Sequence, residues 1–284
     1  MKKTSELTDK VDVLGVHIDN LSINSANTMI GDFIDSSNLS AHSSSYYVVK
    51  PYVEFITKAH KDTSIRSIIN KADLVLPDGI SLQWASSYLY GEPHKAFLKT
   101  IRSLLFWIHK KDWRSQVITQ SHGGPNQTVP LLKLAEKNGW NIGILGGKPD
   151  EIITRKQNLT KLFPRLNNIY CWHGYFASED IQKLLDDIKS KDLDILFVAM
   201  GFPVQEKFIY ANKEKGLAKV LIGEGGTFDY DELGGRTKRA SKKVQKCGLE
   251  WLWRVIIQPR RILRLFSILK FIILIKRFSS KSRV

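Results

Sequence analysis

Short runs of β-branched and other apolar residues recur along the chain, and between them apolar positions return every three or four residues. The runs at 11–18, 46–49, 73–76, 141–145, 168–172, 194–199 and 219–222 predict strands. The wider spacing predicts helices at 26–34, 53–59, 63–70, 80–89, 128–138, 149–162, 178–190 and 203–213. Strand and helix alternate, so the expected fold class is α/β, with βαβ units around a largely parallel sheet flanked by helices. Residues 94–124 break the alternation: a basic, aromatic-rich helical stretch with Phe97, Phe106 and Trp107 runs into a polar loop, and reads as an insertion. Strand signals stop at Gly234-Gly235. That point divides the chain into an α/β body, 1–232, and a helical tail, 233–284, whose Pro259 opens a final segment as a first-turn residue.

Charge sharpens the boundary. Of the net +15 on 284 residues, the tail carries +14, with 15 basic residues and a single acid, Glu250. A near-neutral body ending in such a tail points to an anionic partner at one end of the molecule. The 43% hydrophobic content supports a sizeable core and excludes wholesale disorder. Cys171 and Cys247 are too few for a disulfide framework and lack the paired spacing of a zinc site, so reduced thiols in the cytosol are expected. Residues 1–11 lack the apolar run of a secretory signal. The most apolar stretch, 262–275, is interrupted by Arg264 and Lys270 and falls short of the roughly 20 residues that span a bilayer.

Candidate chemistry clusters where strands end. Leu76-Pro77-Asp78-Gly79-Ile80 places a carboxylate between a buried strand and a helix. Asp78 there is either a general base facing the crevice at the carboxyl ends of the strands or a cap for the helix that follows. Gly146-Gly147, Gly201 and Gly225-Gly226 also follow strands, where glycine permits tight turns and close approach of a ligand. The run Gly223-Glu224-Gly225-Gly226-Thr227-Phe228-Asp229 suits a diphosphate or a plain strand-to-helix turn. It matches neither the P-loop nor the dinucleotide fingerprint, which disfavours ATP hydrolysis and NAD chemistry. In Gly201-Phe202-Pro203-Val204-Gln205-Glu206, the polar ends of Gln205 and Glu206 can meet a ligand or simply start a helix. Asp192-Leu193-Asp194 reads as structural, at the amino end of a strand. Asp229-Tyr230-Asp231 is better placed for a metal-held diphosphate, though a structural role is favoured. His173 follows a strand, where it can line the pocket, but a core or surface histidine is the favoured reading.

From 249 to 277 apolar residues at helical spacing alternate with Arg and Lys. A membrane-surface helix fits best. A solvated or core-packed tail is the second reading. Nucleic acid is the third and is disfavoured, because no recognition motif accompanies the charge.

Taken together and in order, the Pro77-Asp78-Gly79 turn, Leu145-Gly146-Gly147-Lys148-Pro149, His173-Gly174-Tyr175-Phe176, Gly201-Phe202-Pro203-Val204-Gln205-Glu206-Lys207, the Gly223–Asp229 run and Gly248-Leu249-Glu250-Trp251-Leu252-Trp253-Arg254 resemble the WecG/TagA/CpsF glycosyltransferase family. The resemblance covers about 11–264. It implies a Rossmann-like fold of GT-E type and an inverting, metal-independent transfer from a UDP-sugar to a saccharide on polyprenyl pyrophosphate. The enzyme would sit on the inner, cytosolic face of a bacterial membrane. It implies further that Asp78 is the general base, that Gln205 lies in the substrate pocket, and that the segment ending in Asp229 forms the nucleotide side.

The other expected substrate contacts are Gly79, Gly146, Gly147, Tyr175, Gly201, Glu206, Gly225 and Gly226. The basic appendage would dock on an anionic membrane and close over the site, with Arg236, Lys238, Arg239, Arg254, Arg260 and Arg261 available to the diphosphate. Neither metal nor cofactor is expected, nor a nucleic acid partner; a homo-oligomer is compatible with the sequence. The departures concern the sugar. Lys50 and Tyr52 stand where the family commonly has Thr and Asn, and Ser121 and Asn126 replace an Arg and an Asp. Lys50 would supply the charge lost at Ser121, and these changes leave open an altered donor or lost activity.

Overall fold

The computed structural model describes residues 10–39, 44–91, 111–166, 168–246 and 249–281. The chain opens on a hairpin, β1 (Lys10–Val13) and β2 (Val16–Asp19), paired antiparallel. One strand was expected over 11–18. Leu14 and Gly15 instead take left-handed φ of 56° and 89°, which reverses the chain within the apolar stretch Val13–Val16.

The main sheet has six strands in the order β4-β3-β8-β7-β5-β6, all parallel. They are β3 (Tyr46–Val49), β4 (Leu74–Val75), β5 (Ile142–Gly146), β6 (Ile169–Trp172), β7 (Leu193–Ala199) and β8 (Ala218–Gly223). The central strands read as continuous apolar runs because both faces are covered. On one face lie α1 (Ile23–Leu39), α6 (Pro125–Asn138) and α7 (Ile152–Leu162). The other is covered by α2 (Val53–Ala59), α3 (Thr63–Asn70), α4 (Ile80–Tyr90), α8 (Ile181–Lys189) and α9 (Val204–Asn212). Pro125 starts α6, whose C-cap Gly139 is left-handed, and Asp62 caps α3 by accepting from the N–H groups of Ser64 and Ile65. Most of the expected insertion lies outside the described residues. Its end forms α5 (Lys111–Arg114) and the loop into α6.

Asp194 sits at the amino end of β7, accepting from Asn141 N at 2.7 Å and pairing with Lys219 at 2.6 Å. Its role is structural, as read from the sequence.

The tail folds into α10 (Lys242–Lys246), α11 (Glu250–Ile257) and α12 (Leu263–Lys281). α12 is integral to the core: Phe271 and Ile275 are fully buried against α2 and α4, with the Phe271 ring edge-on to Trp84 at 6.4 Å. Among the described residues no helix is long and apolar enough to cross a membrane.

Candidate active site

The carboxyl ends of β3, β4, β7 and β8 open into a cavity of about 420 Å3. Parallel strands all deliver their following turns to this edge, so residues far apart in sequence converge there. Asp78, in the turn after β4, lines it. Its backbone N–H donates to Pro51 O at 2.8 Å, which ties the β4 turn to the β3 turn. The capping alternative fails: the N-cap of α4 is Gly79, at φ 88°, and no hydrogen bond from the described residues holds the Asp78 carboxylate. Ser121 Oγ accepts the Gly79 N–H at 2.8 Å and His122 N–H donates to Pro77 O at 2.7 Å, so the loop before α6 clasps the turn from the other side.

Burial pushes the Asp78 carboxyl up from its ordinary 3.8 to about 6. Lys50 and Arg254 oppose the rise, and Glu224 and Glu250 reinforce it. A carboxylate titrating near neutrality and exposed to a cavity can accept a proton from a hydroxyl bound there. His122 is fully buried. Desolvation, helped by Lys50, drives it down to about 3, so it is neutral throughout the physiological range.

Lys50, after β3, does not stand free to replace a missing arginine. Its ammonium pairs with Glu224 Oε1, after β8, and reaches Thr128 Oγ1 at 3.4 Å, while that hydroxyl donates to the same Glu224 oxygen at 2.9 Å. Both charged side chains are nearly inaccessible, at 3% and 1% exposure, so their attraction is poorly screened. Tyr52 lines the cavity and donates to Glu54 Oε2 at 2.8 Å. Glu224 and Thr128 went unassigned from sequence, since nothing in it shows that β3 and β8 are neighbours.

Gly201, Gln205, Gly225 and Gly226 line the same cavity. Glu206, expected to meet a ligand, is turned away: it is 1% exposed and lies behind Gln205, whose Nε2 donates to it at 2.7 Å. Burial pushes its carboxyl up to about 7.

From the tail, Arg254 joins the wall. Its guanidinium lies 4.3 Å from the Tyr230 ring centroid, donates to Gly226 O at 2.9 Å and sits 3.7 Å from Asp229 Oδ2. Arg239 is committed to protein, bonding Glu250 and Glu232 at 2.8 Å each and Asn126 Oδ1 at 2.7 Å. Asn126 thus receives an arginine of the tail. Lys238 is exposed and lines neither cavity described here; the Arg260 and Arg261 side chains lie outside the described residues.

A second cavity of about 310 Å3 flanks the first at the ends of β5 and β6, lined by Gly147, Lys148, Tyr175, Asp229 and Arg236. Gly146 supports it from below, its carbonyl accepting from Arg155 Nη1 at 2.8 Å. A Cβ on Gly147 would come within 2.5 Å of the same guanidinium, and the left-handed φ of 81° there also favours glycine. His173 lines neither cavity.

The Pro-Asp-Gly turn and the glycine turns thus converge at the carboxyl ends of one parallel sheet. The family model described as Glycosyl transferase WecG/TagA/CpsF matches residues 11–115 and 105–283, and the two matches overlap inside the segment that interrupts the strand–helix alternation. With nearly the whole length matched, the chain belongs to the WecG/TagA/CpsF glycosyl transferase family.

Proposed function

We propose that this transferase is an inverting enzyme that moves a sugar, of N-acetylmannosamine type or its uronate, from a UDP-sugar to a saccharide on polyprenyl pyrophosphate. The product would feed cell-surface polysaccharide synthesis at the inner face of the plasma membrane. One observation carries the reading: a carboxyl tuned to about 6 lines a cavity at the carboxyl ends of the strands and is spent on no protein hydrogen bond among the described residues.

Asp78 takes the proton of the acceptor hydroxyl as that oxygen bonds to the anomeric carbon, and the bond from that carbon to UDP breaks on the opposite face. The departing diphosphate gains negative charge, which needs fixed cations and N–H donors. The second cavity suits the nucleotide, with Lys148 and Arg236 for charge and the exposed Tyr175 ring for a base. Arg254 stands between the two cavities, lining the first and facing Asp229 of the second. On the outer side of the tail, Ile256, Ile262, Phe266, Leu269 and Ile273 are each more than half exposed beside Lys270, Lys276 and Arg277. Such a face suits insertion between anionic headgroups.

The test is a screen of UDP-sugars against short-chain polyprenyl-pyrophosphate saccharides, read as UDP release and product mass. One donor–acceptor pair is expected to turn over in the wild type and to lose about a thousandfold with Asp78→Asn. Absence of UDP release from every pair would sink the reading.

A further inference from the structure

Gln205 uses both ends of its amide on protein. Its Oε1 accepts the backbone N–H groups of Gly201 at 3.0 Å and Gly225 at 2.9 Å, and its Nε2 donates to Glu206 Oε1. Gly201 lies in the turn after β7 at φ 79°, and Gly225 in the turn after β8 at φ 55°. One side chain therefore staples two left-handed turns that line the same cavity as Asp78. The staple rests on Glu206, which lines neither of the two cavities and whose other oxygen, Oε2, is buried without a partner among the described residues. Leaving an acceptor buried and unpaired costs stability, and an apolar residue of the same shape would avoid that cost. The site is built around the pair: a Cβ on Gly223 would meet Gln205 Nε2 at 2.9 Å and Glu206 Oε1 at 3.1 Å.

We propose that Glu206 is a positioning residue of the transfer site: by accepting from Gln205 Nε2 it holds that amide in place, and through it the spacing of the β7 and β8 turns beside the base. Without the carboxyl, the buried Nε2 has lost its acceptor, and the amide gives up the two glycine N–H groups to find another. The proposal rests on the transferase reading, but the staple itself can be measured without turnover.

The experiment compares Glu206→Leu, Glu206→Gln, Gln205→Leu and the double leucine variant, by amide hydrogen exchange and by kcat and KM for UDP release. In Glu206→Leu the Gly201 and Gly225 amides are expected to exchange about tenfold faster while amides within β7 and β8 keep their protection. There kcat falls about 30-fold with KM within about threefold, and Glu206→Gln, which keeps an acceptor oxygen, recovers most of the loss. In the Gln205→Leu background, Glu206→Leu adds nothing. Wild-type protection at both glycines in Glu206→Leu, or additive losses in the double variant, would overturn the proposal. Should Glu206→Leu not fold, Gly223→Ala presses on the same pair and must release the same two amides; continued protection there overturns it equally. A wild type that releases no UDP removes the transferase reading, and exchange alone then decides the staple.

Discussion

Gly123 and the Asp78 carboxylate occupy adjoining space so closely that any side chain at position 123 would overlap Asp78 Oδ1. The backbone of Gly123 is not left-handed, so alanine is tolerated by the chain itself. What must move is the end of the aspartate. Gly123→Ala is therefore expected to cut transfer by about a hundredfold, since a displacement near 1 Å is enough to spoil a base. Its Tm should stay within a few degrees of wild type. UDP release beside a thermal melt checks both; full turnover in the alanine variant would mean that the base sits elsewhere.

The raised pKa of Asp78 has opposite consequences for rate and for stability. As a base it works when ionised, so kcat/KM should rise with pH and reach half its plateau near pH 6. Its folded value lies above its ordinary 3.8, so ionisation opposes folding: wild type matches a neutral isostere below about pH 4 and loses ground as pH rises through about 6. Asp78→Asn should thus be the more stable protein at pH 8, by up to about 3 kcal/mol less what cavity water screens, and equal to wild type at pH 4. Melts across that range, paired with the loss of activity, separate a tuned base from a structural carboxyl.

Lys50 and Glu224 should be separable only at a cost. Removing either leaves the other buried and uncompensated, so Lys50→Met and Glu224→Gln are each expected to destabilise by about 3–5 kcal/mol, and the double variant by much less. A coupling of at least about 2 kcal/mol in urea titrations is the expected outcome, and simple additivity would contradict it. Glu224 also helps raise Asp78, so Glu224→Gln should move the acid limb of the rate profile below 6.

That ion pair also marks where the sequence stops being legible. Apolar periodicity located the strands of the parallel sheet and the helices between them, because burial on two faces or one leaves a pattern in each segment. Strand order leaves no such pattern, and only the placement of β8 beside β3 brings Glu224 to Lys50 across 174 positions. The place of Asp78 at the cavity was legible because its turn follows a buried strand directly, although its exclusion as a cap needed the observed N-cap at Gly79. The Leu14-Gly15 turn was hidden because a leucine there takes a left-handed φ within the apolar stretch Val13–Val16. Glu206 was misassigned for a related reason: adjacent positions in a first helical turn point in different directions, and Gln205 took the cavity.

The tail carries two apolar faces, and they should respond differently. Phe271 and Ile275 are buried among Trp84 and its neighbours, so Phe271→Ala is expected to cost about 3–5 kcal/mol with or without lipid. For the same reason, truncation after Leu233 strips the core as well as the outer face, and lost activity in such a fragment says little about membranes. Phe266, Leu269 and Ile273 face outward at 68%, 58% and 51% exposure, one to two turns apart on α12. Replacing all three with serine should leave the melt within about 1 kcal/mol of wild type, because the lost side chains already meet water. It should weaken binding to phosphatidylglycerol-containing vesicles by at least about tenfold, since each buried apolar side chain contributes about 1.5–3 kcal/mol to insertion. Transfer to an acceptor in those vesicles should fall in parallel, while transfer to a short-chain soluble acceptor stays at the wild-type rate. Flotation of both proteins at low and high salt measures the first effect and UDP release the second. Unchanged flotation of the triple variant would mean that the tail serves the fold alone.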